Sequence, residues 1–296
     1  MAERLLINVF NIDAALAAGR AQGFFAALGL DVDVMVTPNS TDQMRGLCKG
    51  SWQIVSTAFD NVLGWSGREG TAIVAVAQVA QGNVLPVYVR PEIKTWEDLR
   101  GKAMAVDAVD TAYALVLRRV LLAHGLEMDR GDYALIAKGT TGYRLDSMIA
   151  KETWAGVLNP PWDAKATAAG MVRLADHREV LPDYPGGVYA VGRQWADENQ
   201  ELLIRYLRAW NEALAWCHSE KNRDQAIKVL MAAEKLDEKA AANRLRQLPR
   251  DGRLNLPGLE SVLELRVLFG LTPPMGKALN EYYDGKFYRE TSNLKG

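Results

Sequence analysis

Histidine is nearly missing from this chain: His124, His177 and His218 are the only three among 296 residues. They stand apart from one another, so a histidine-rich metal centre or a Ser-His-Asp arrangement has little raw material. No catalytic residue, metal ligand or cofactor is assigned. Cysteine is as scarce, and Cys48 and Cys217 read as two free thiols without metal-ligand spacing. No apolar run reaches the 18 residues that a membrane-crossing helix needs. An excess of one charge is lacking too: 35 Lys plus Arg against 36 Asp plus Glu leave no basic field to hold nucleic acid or an anionic membrane. A glycine-rich phosphate loop is missing, since neither the stretch at Gly19 nor the one at Gly139 has the spacing. There is no internal repeat, low-complexity segment or flexible linker.

What the chain does have is apolar material, 49% of its residues, enough for one large domain or two of ordinary size. Residues 5–10 form an apolar run that predicts a buried strand, and residues 14–28 a helix ended by Gly29. Strands follow at 32–36, 50–55 and 71–80, with a turn at 38–41 and a helix at 42–49. Residues 84–89, 103–106, 132–136, 153–158, 172–174 and 188–191 continue the strands. Helices are expected between them at 114–124, 144–151 and 164–170. From residue 197 the pattern is helical, with the Leu202, Tyr206, Trp210 stripe read as core and a terminal helix at 279–288. This alternation predicts a βαβ sheet with helices on its faces.

In such sheets the loops after the strands' carboxyl ends hold ligands. Asn11 and Asp13 lie after the first strand, and Thr57, Phe59 and Asp60 after the third. Asp110 or Thr111 suits the N-cap of the helix before which Tyr113 falls. The amides after that cap would accept a carboxylate or sulfonate. The Asn159-Pro160-Pro161-Trp162-Asp163 junction presents an aromatic for stacking on a planar ligand beside two polar groups. Gly186-Gly187 and Tyr189 are placed at a cleft mouth, Tyr189 as a lid or hydrogen-bond donor. Each of these residues also has a plain reading as cap, turn former or core.

The stretch from Asn83 to Val106, NVLPVYVRPEIKTWEDLRGKAMAV, organises the rest. An apolar strand ends at Pro91, Thr95 offers an N-cap with Glu97 and Asp98 behind it, and Gly101 stops the turn before a second strand. Asp98, Leu99, Arg100, Gly101 and Lys102 match a D-L-x-G-K element, and with the order of the segments the chain resembles the solute-binding proteins of ABC transporters of the nitrate, sulfonate, taurine and thiamine-precursor type. The resemblance implies an α/β, two-lobed, type 2 periplasmic binding protein fold, each lobe a mixed sheet flanked by helices. Residues 84–89 and 188–191 would pair as a two-stranded hinge, with lobe 1 made of residues 1–87 and 191–296 and lobe 2 of residues 88–190.

It further implies a monomer that binds a small organic solute in an inter-lobe cleft by closure, catalyses nothing, and docks on ABC permease subunits in the periplasm. The family sets its ligand's anionic head at the helix start here marked by Thr111. The start MAERLLINVF does not read as an export signal, so a signal or anchor would lie outside this sequence. A natural start at Met1 would instead mean a cytosolic protein. Asp13, Asp60, Asp107, Asp110 and Asp163 outnumber the nearby cations Lys138 and Arg144, which points to a ligand with an amine or ring N–H donors. The competing class is an enzyme on the same fold, of decarboxylase or cofactor-pathway type, for which His177 is the available histidine.

Overall fold

Runs of Val, Ile and Ala with few charges suit strands covered on both faces, and four strands here are buried along their whole length. The computed structural model describes residues 2–37, 39–82 and 84–291. Met1, Pro38, Asn83 and residues 292–296 lie outside the described residues, and with them the proline of the expected 38–41 turn and the first residue of the 83–106 stretch. In chain order the strands are β1 Glu3–Val9, β2 Leu30–Val36, β3 Ile54–Thr57, β4 Ile73–Gln78, β5 Pro86–Val89, β6 Lys102–Val106, β7 Tyr133–Ala137, β8 Ala155–Val157, β9 Val172–Asp176 and β10 Val188–Gly192. The helices are α1 Ala14–Ala21, α2 Phe24–Ala27, α3 Ser40–Cys48, α4 Phe59–Trp65, α5 Ala112–Ala123, α6 Thr141–Ile149, α7 Trp162–Ala168, α8 Arg193–Glu198, α9 Gln200–His218, α10 Arg223–Glu234, α11 Glu238–Leu245, α12 Leu256–Leu268 and α13 Lys286–Glu290.

The chain divides into two compact units. Unit 1 comprises residues 1–82, 185–260 and 273–296, and unit 2 residues 83–184 and 261–272. Unit 1 carries the sheet β2-β1-β3-β10-β4, and unit 2 the sheet β7-β6-β8-β5-β9. The two orders are one topology used twice. In each, three strands run parallel at one side, and the strand that follows a crossing between units enters antiparallel beside the third.

The expected two-stranded hinge is therefore corrected. β5 and β10 do not pair with each other, because each finds two antiparallel partners inside its own sheet. Both carry a register irregularity, between Val87 and Tyr88 and between Tyr189 and Ala190.

Unit 1's core forms where α1 and α9 cover the sheet. Leu203, Tyr206, Leu207 and Trp210 are fully buried, as the core reading of the helical stripe predicts. Unit 2's core gathers α5 (Leu115, Leu117, Leu121) with β5 and β6, and Leu265 of α12 joins it.

Local expectations fail where capping or a left-handed residue intervenes. The single 14–28 helix breaks at Gly23, whose φ of 79° begins α2. The long helix from 197 is interrupted at Asn199. The 95–100 helix is a single 3₁₀ turn, Glu97–Leu99. There Asp98 Oδ2 accepts the amides of Lys94 and Thr95 ahead of the turn, and no side chain caps it, so the expected Thr95 cap is not formed. The tail is a 3₁₀ turn at Leu279–Glu281 and then the short α13. No described helix is long and apolar enough to cross a membrane.

Candidate functional site

In unit 2, β6 runs parallel to β7 and to β8, so the loops after Val106, Ala137 and Val157 leave the same edge of the sheet. One polar network links all three. Thr111 Oγ1 donates to Asp107 Oδ1 at 2.6 Å, and Asp107 Oδ1 lies 3.5 Å from Arg144 Nη1. Arg144 Nη2 donates to Thr141 Oγ1 at 2.6 Å, and Thr141 Oγ1 to Asn159 Oδ1 at 2.8 Å. Trp162 packs on the start of α6 so closely that a Cβ on Gly142 would lie 2.9 Å from its ring.

Two helices begin at this network. Neither Thr111 before α5 nor Thr140 before α6 turns its side chain to cap its own helix, which leaves the first amides of both available. Arg144 is the network's cation. Its side chain is 2% exposed, and Nε has no hydrogen-bond partner among the described residues. Burial pulls the guanidinium below its usual pKa, while Asp107 and Tyr113 push it back up. Tyr113, with the guanidinium 5.4 Å from its ring centre, is raised by burial and eased by Arg144. A desolvated cation with one loose ion pair, beside two helix starts, favours an anion.

In unit 1 the loop after β1 is clamped residue by residue. Asn11 Oδ1 accepts from Arg244 Nη2 at 3.0 Å, and Ile12 N–H donates to Glu234 Oε1 at 2.6 Å. Asp13 caps α1 through Leu16 N–H at 2.8 Å, and also accepts from Trp210 Nε1 at 3.1 Å and Tyr189 O–H at 2.8 Å. Desolvation raises the Asp13 pKa against these three hydrogen bonds.

The structure brings Thr111, Tyr113, Asn159 and Trp162 to one edge of unit 2, with Asp110 exposed beside them. Asp163 is spent on the amide of Ala164. In unit 1 four of the candidates are buried. Tyr189 is no lid: it is fully buried in the core, edge-on to Tyr206 and Trp210. Phe59, at 2% exposure, is a core ring, and Thr57 is buried with its hydroxyl accepting from Asn61. Asp60 is buried too.

The carboxylate count overstated free negative charge, since Asp13 caps α1, Asp163 accepts the Ala164 amide and Asp107 faces Arg144. The second cation of that count, Lys138, is taken up by Glu152 at 2.6 Å. Arg244 and Glu234 were not marked, because they stand some 220 residues or more from the loop they hold. A recess of about 190 Å³ in unit 1 is lined by Gln81, His218, Arg223 and Arg246, among others.

A sequence profile of the NMT1-like family matches residues 9–231. The chain belongs to the NMT1-like family. The bicarbonate transport ATP-binding protein CmpC of Synechocystis is 24% identical over 245 residues, 74% of this chain. The chain spans only 35% of that relative's length.

Among solved structures, the periplasmic nitrate-binding protein NrtA of Synechocystis superposes with a TM-score of 0.79 at 14% identity, covering 99% of this chain and 89% of NrtA. The periplasmic aliphatic sulphonate binding protein SsuA of Escherichia coli gives 0.76 at 18% identity, covering 96% and 92%. The desulfurization enzyme DSZB gives 0.71 at 17%, covering 98% and 99%. At these identities the likeness is one of fold, the α/β two-lobed fold of type 2 periplasmic binding proteins.

Proposed function

We propose that this protein is the solute-binding component of an ABC importer, that it works in the periplasm beside permease subunits, and that its solute carries a compact anionic head. The observation that carries this reading is Arg144, buried and incompletely paired where the α5 and α6 starts meet. Sulfonates and carboxylates fit that donor set, and the amine or ring N–H ligand expected from the carboxylate count does not. The relatives' names, which give bicarbonate, nitrate and sulphonate, agree with this in charge and size.

A thermal-shift screen against bicarbonate, nitrate, ethanesulfonate and benzoate, with ethylamine and an aminopyrimidine as controls, tests it. An anion at 100 times its dissociation constant adds about 2.7 kcal/mol of stability, a rise of a few degrees. Stabilisation by the amines alone would reject the anion reading.

The enzyme reading is kept because DSZB shares the fold. Against it stands His177, which is 4% exposed, with Nδ1 accepting the Leu85 amide. Product analysis of each stabilising compound separates the two, since a carrier returns its solute unchanged.

A further inference from the structure

In unit 1 the side-chain amide of Asn11 is oriented by a group that can only donate. An arginine has five N–H donors and no acceptor, so the oxygen of Asn11 must face Arg244, as it does at 3.0 Å. The amide nitrogen is thereby turned the other way, and its two hydrogens meet no partner among the described residues, on a residue that is exposed at the carboxyl end of β1. Arg244 is itself fixed: its Nη1 donates to Glu234 Oε2 at 3.2 Å, and the second oxygen of Glu234 accepts Ile12 N–H at 2.6 Å. Glu234 closes α10 and Arg244 lies in α11, so the helical part of the chain sets the orientation of one amide in a loop far away in sequence.

We infer that Arg244, braced by Glu234, is a positioning residue that presents the Asn11 Nδ2 hydrogens as a fixed donor pair to an oxygen-bearing ligand at the edge of unit 1, with carboxylate, sulfonate, bicarbonate or nitrate oxygens as the acceptors. The inference rests on the solute-binding reading and deepens it. A donor pair held in place before binding selects against ligands that offer N–H groups there, because two donors facing each other are both left unsatisfied.

The test uses the full chain with asparagine labelled by ¹⁵N, titrated with bicarbonate, nitrate and ethanesulfonate while the Asn11 side-chain NH₂ signal is followed, alongside calorimetric affinities for three variants. Asn11→Asp replaces the donor pair by an acceptor of the same size, and is expected to weaken the binding anion about tenfold or more with unchanged thermal stability. Arg244→Met is expected to weaken it several-fold and to let the Asn11 amide signal broaden or move before any ligand is added. Arg244→Lys, which keeps a donor toward the Asn11 oxygen, restores most of the affinity.

An anion that saturates the protein without moving the Asn11 NH₂ signal, or that binds Asn11→Asp as it binds the wild type, overturns the inference while leaving the solute-binding reading standing. Failure of all three anions to bind anywhere overturns both.

Discussion

Arg144 shows how a single buried side chain gives an edge of a sheet its chemical preference. Its cost is desolvation, only partly relieved by Asp107 at 3.5 Å, and an anion of the proposed class would supply the missing counter-charge. Gly142 matters for a steric reason on the same helix start. Gly142→Ala would drive a methyl to 2.9 Å from the Trp162 ring, and is expected to cost about 1 to 3 kcal/mol in urea denaturation and to weaken anion binding as the α6 start shifts.

His177 gives a pH prediction of definite sign. Burial lowers its pKa, with Asp176 pushing it up and Arg178 down, while Tyr184 packs edge-on to the ring and Glu179 and His124 are paired nearby. A base with a depressed folded pKa contributes stability that is complete above the unfolded value of about 6.5 and is lost as the pH falls toward the folded value. Between pH 7.5 and 5.5 the wild type should therefore lose more denaturation free energy than His177→Gln, which can still accept the Leu85 amide. Equal losses would remove His177 from the account. Sequence marked His177 only as the sole histidine near a predicted loop, because burial and a distant amide partner leave no local pattern.

Between elements, one side chain in each unit staples a crossing segment. In unit 1 the buried Gln78 donates from Nε2 to the carbonyls of Ala80, Gly186 and Gly187. In unit 2 His177 holds Leu85 through both its ring and its backbone. Gly186 is glycine because its backbone runs against Ala80, where a Cβ would lie 2.3 Å from the carbonyl oxygen. Gly186→Ala is expected to destabilise unit 1 by about 1 to 3 kcal/mol, read as a lower thermal midpoint with secondary structure retained.

Most strands were legible from their apolar runs, as were the start of α5 and the core stripe of α9, since these depend on periodicity within one segment. What periodicity could not give was which strands pair. β5 and β10 read as a hinge pair because each follows a crossing, yet pairing is decided by edges elsewhere in the chain, and each is drawn into the middle of a different sheet.

For the molecule as a whole, one topology appears twice, and in each copy the candidate residues lie after the strands' carboxyl ends. The NMT1-like family match spans both units, and the helical part of the chain contributes to each: Arg244 to the β1 loop of unit 1, Phe269 against Arg118 in unit 2. Hydrogen exchange should resolve the two copies. Saturation with a binding anion is expected to slow exchange at the first amides of α5 and α6, while the buried β5 and β10 strands, slow already, change little.

The central claim, that an anion is held at Arg144, is tested most directly by isothermal titration of wild type and Arg144→Gln with whichever of bicarbonate, nitrate or ethanesulfonate stabilises the protein. Loss of a hydrogen bond to charge predicts a fall in affinity of about tenfold to a hundredfold in the variant, with its circular dichroism retained. Equal affinities in a folded variant would contradict the claim.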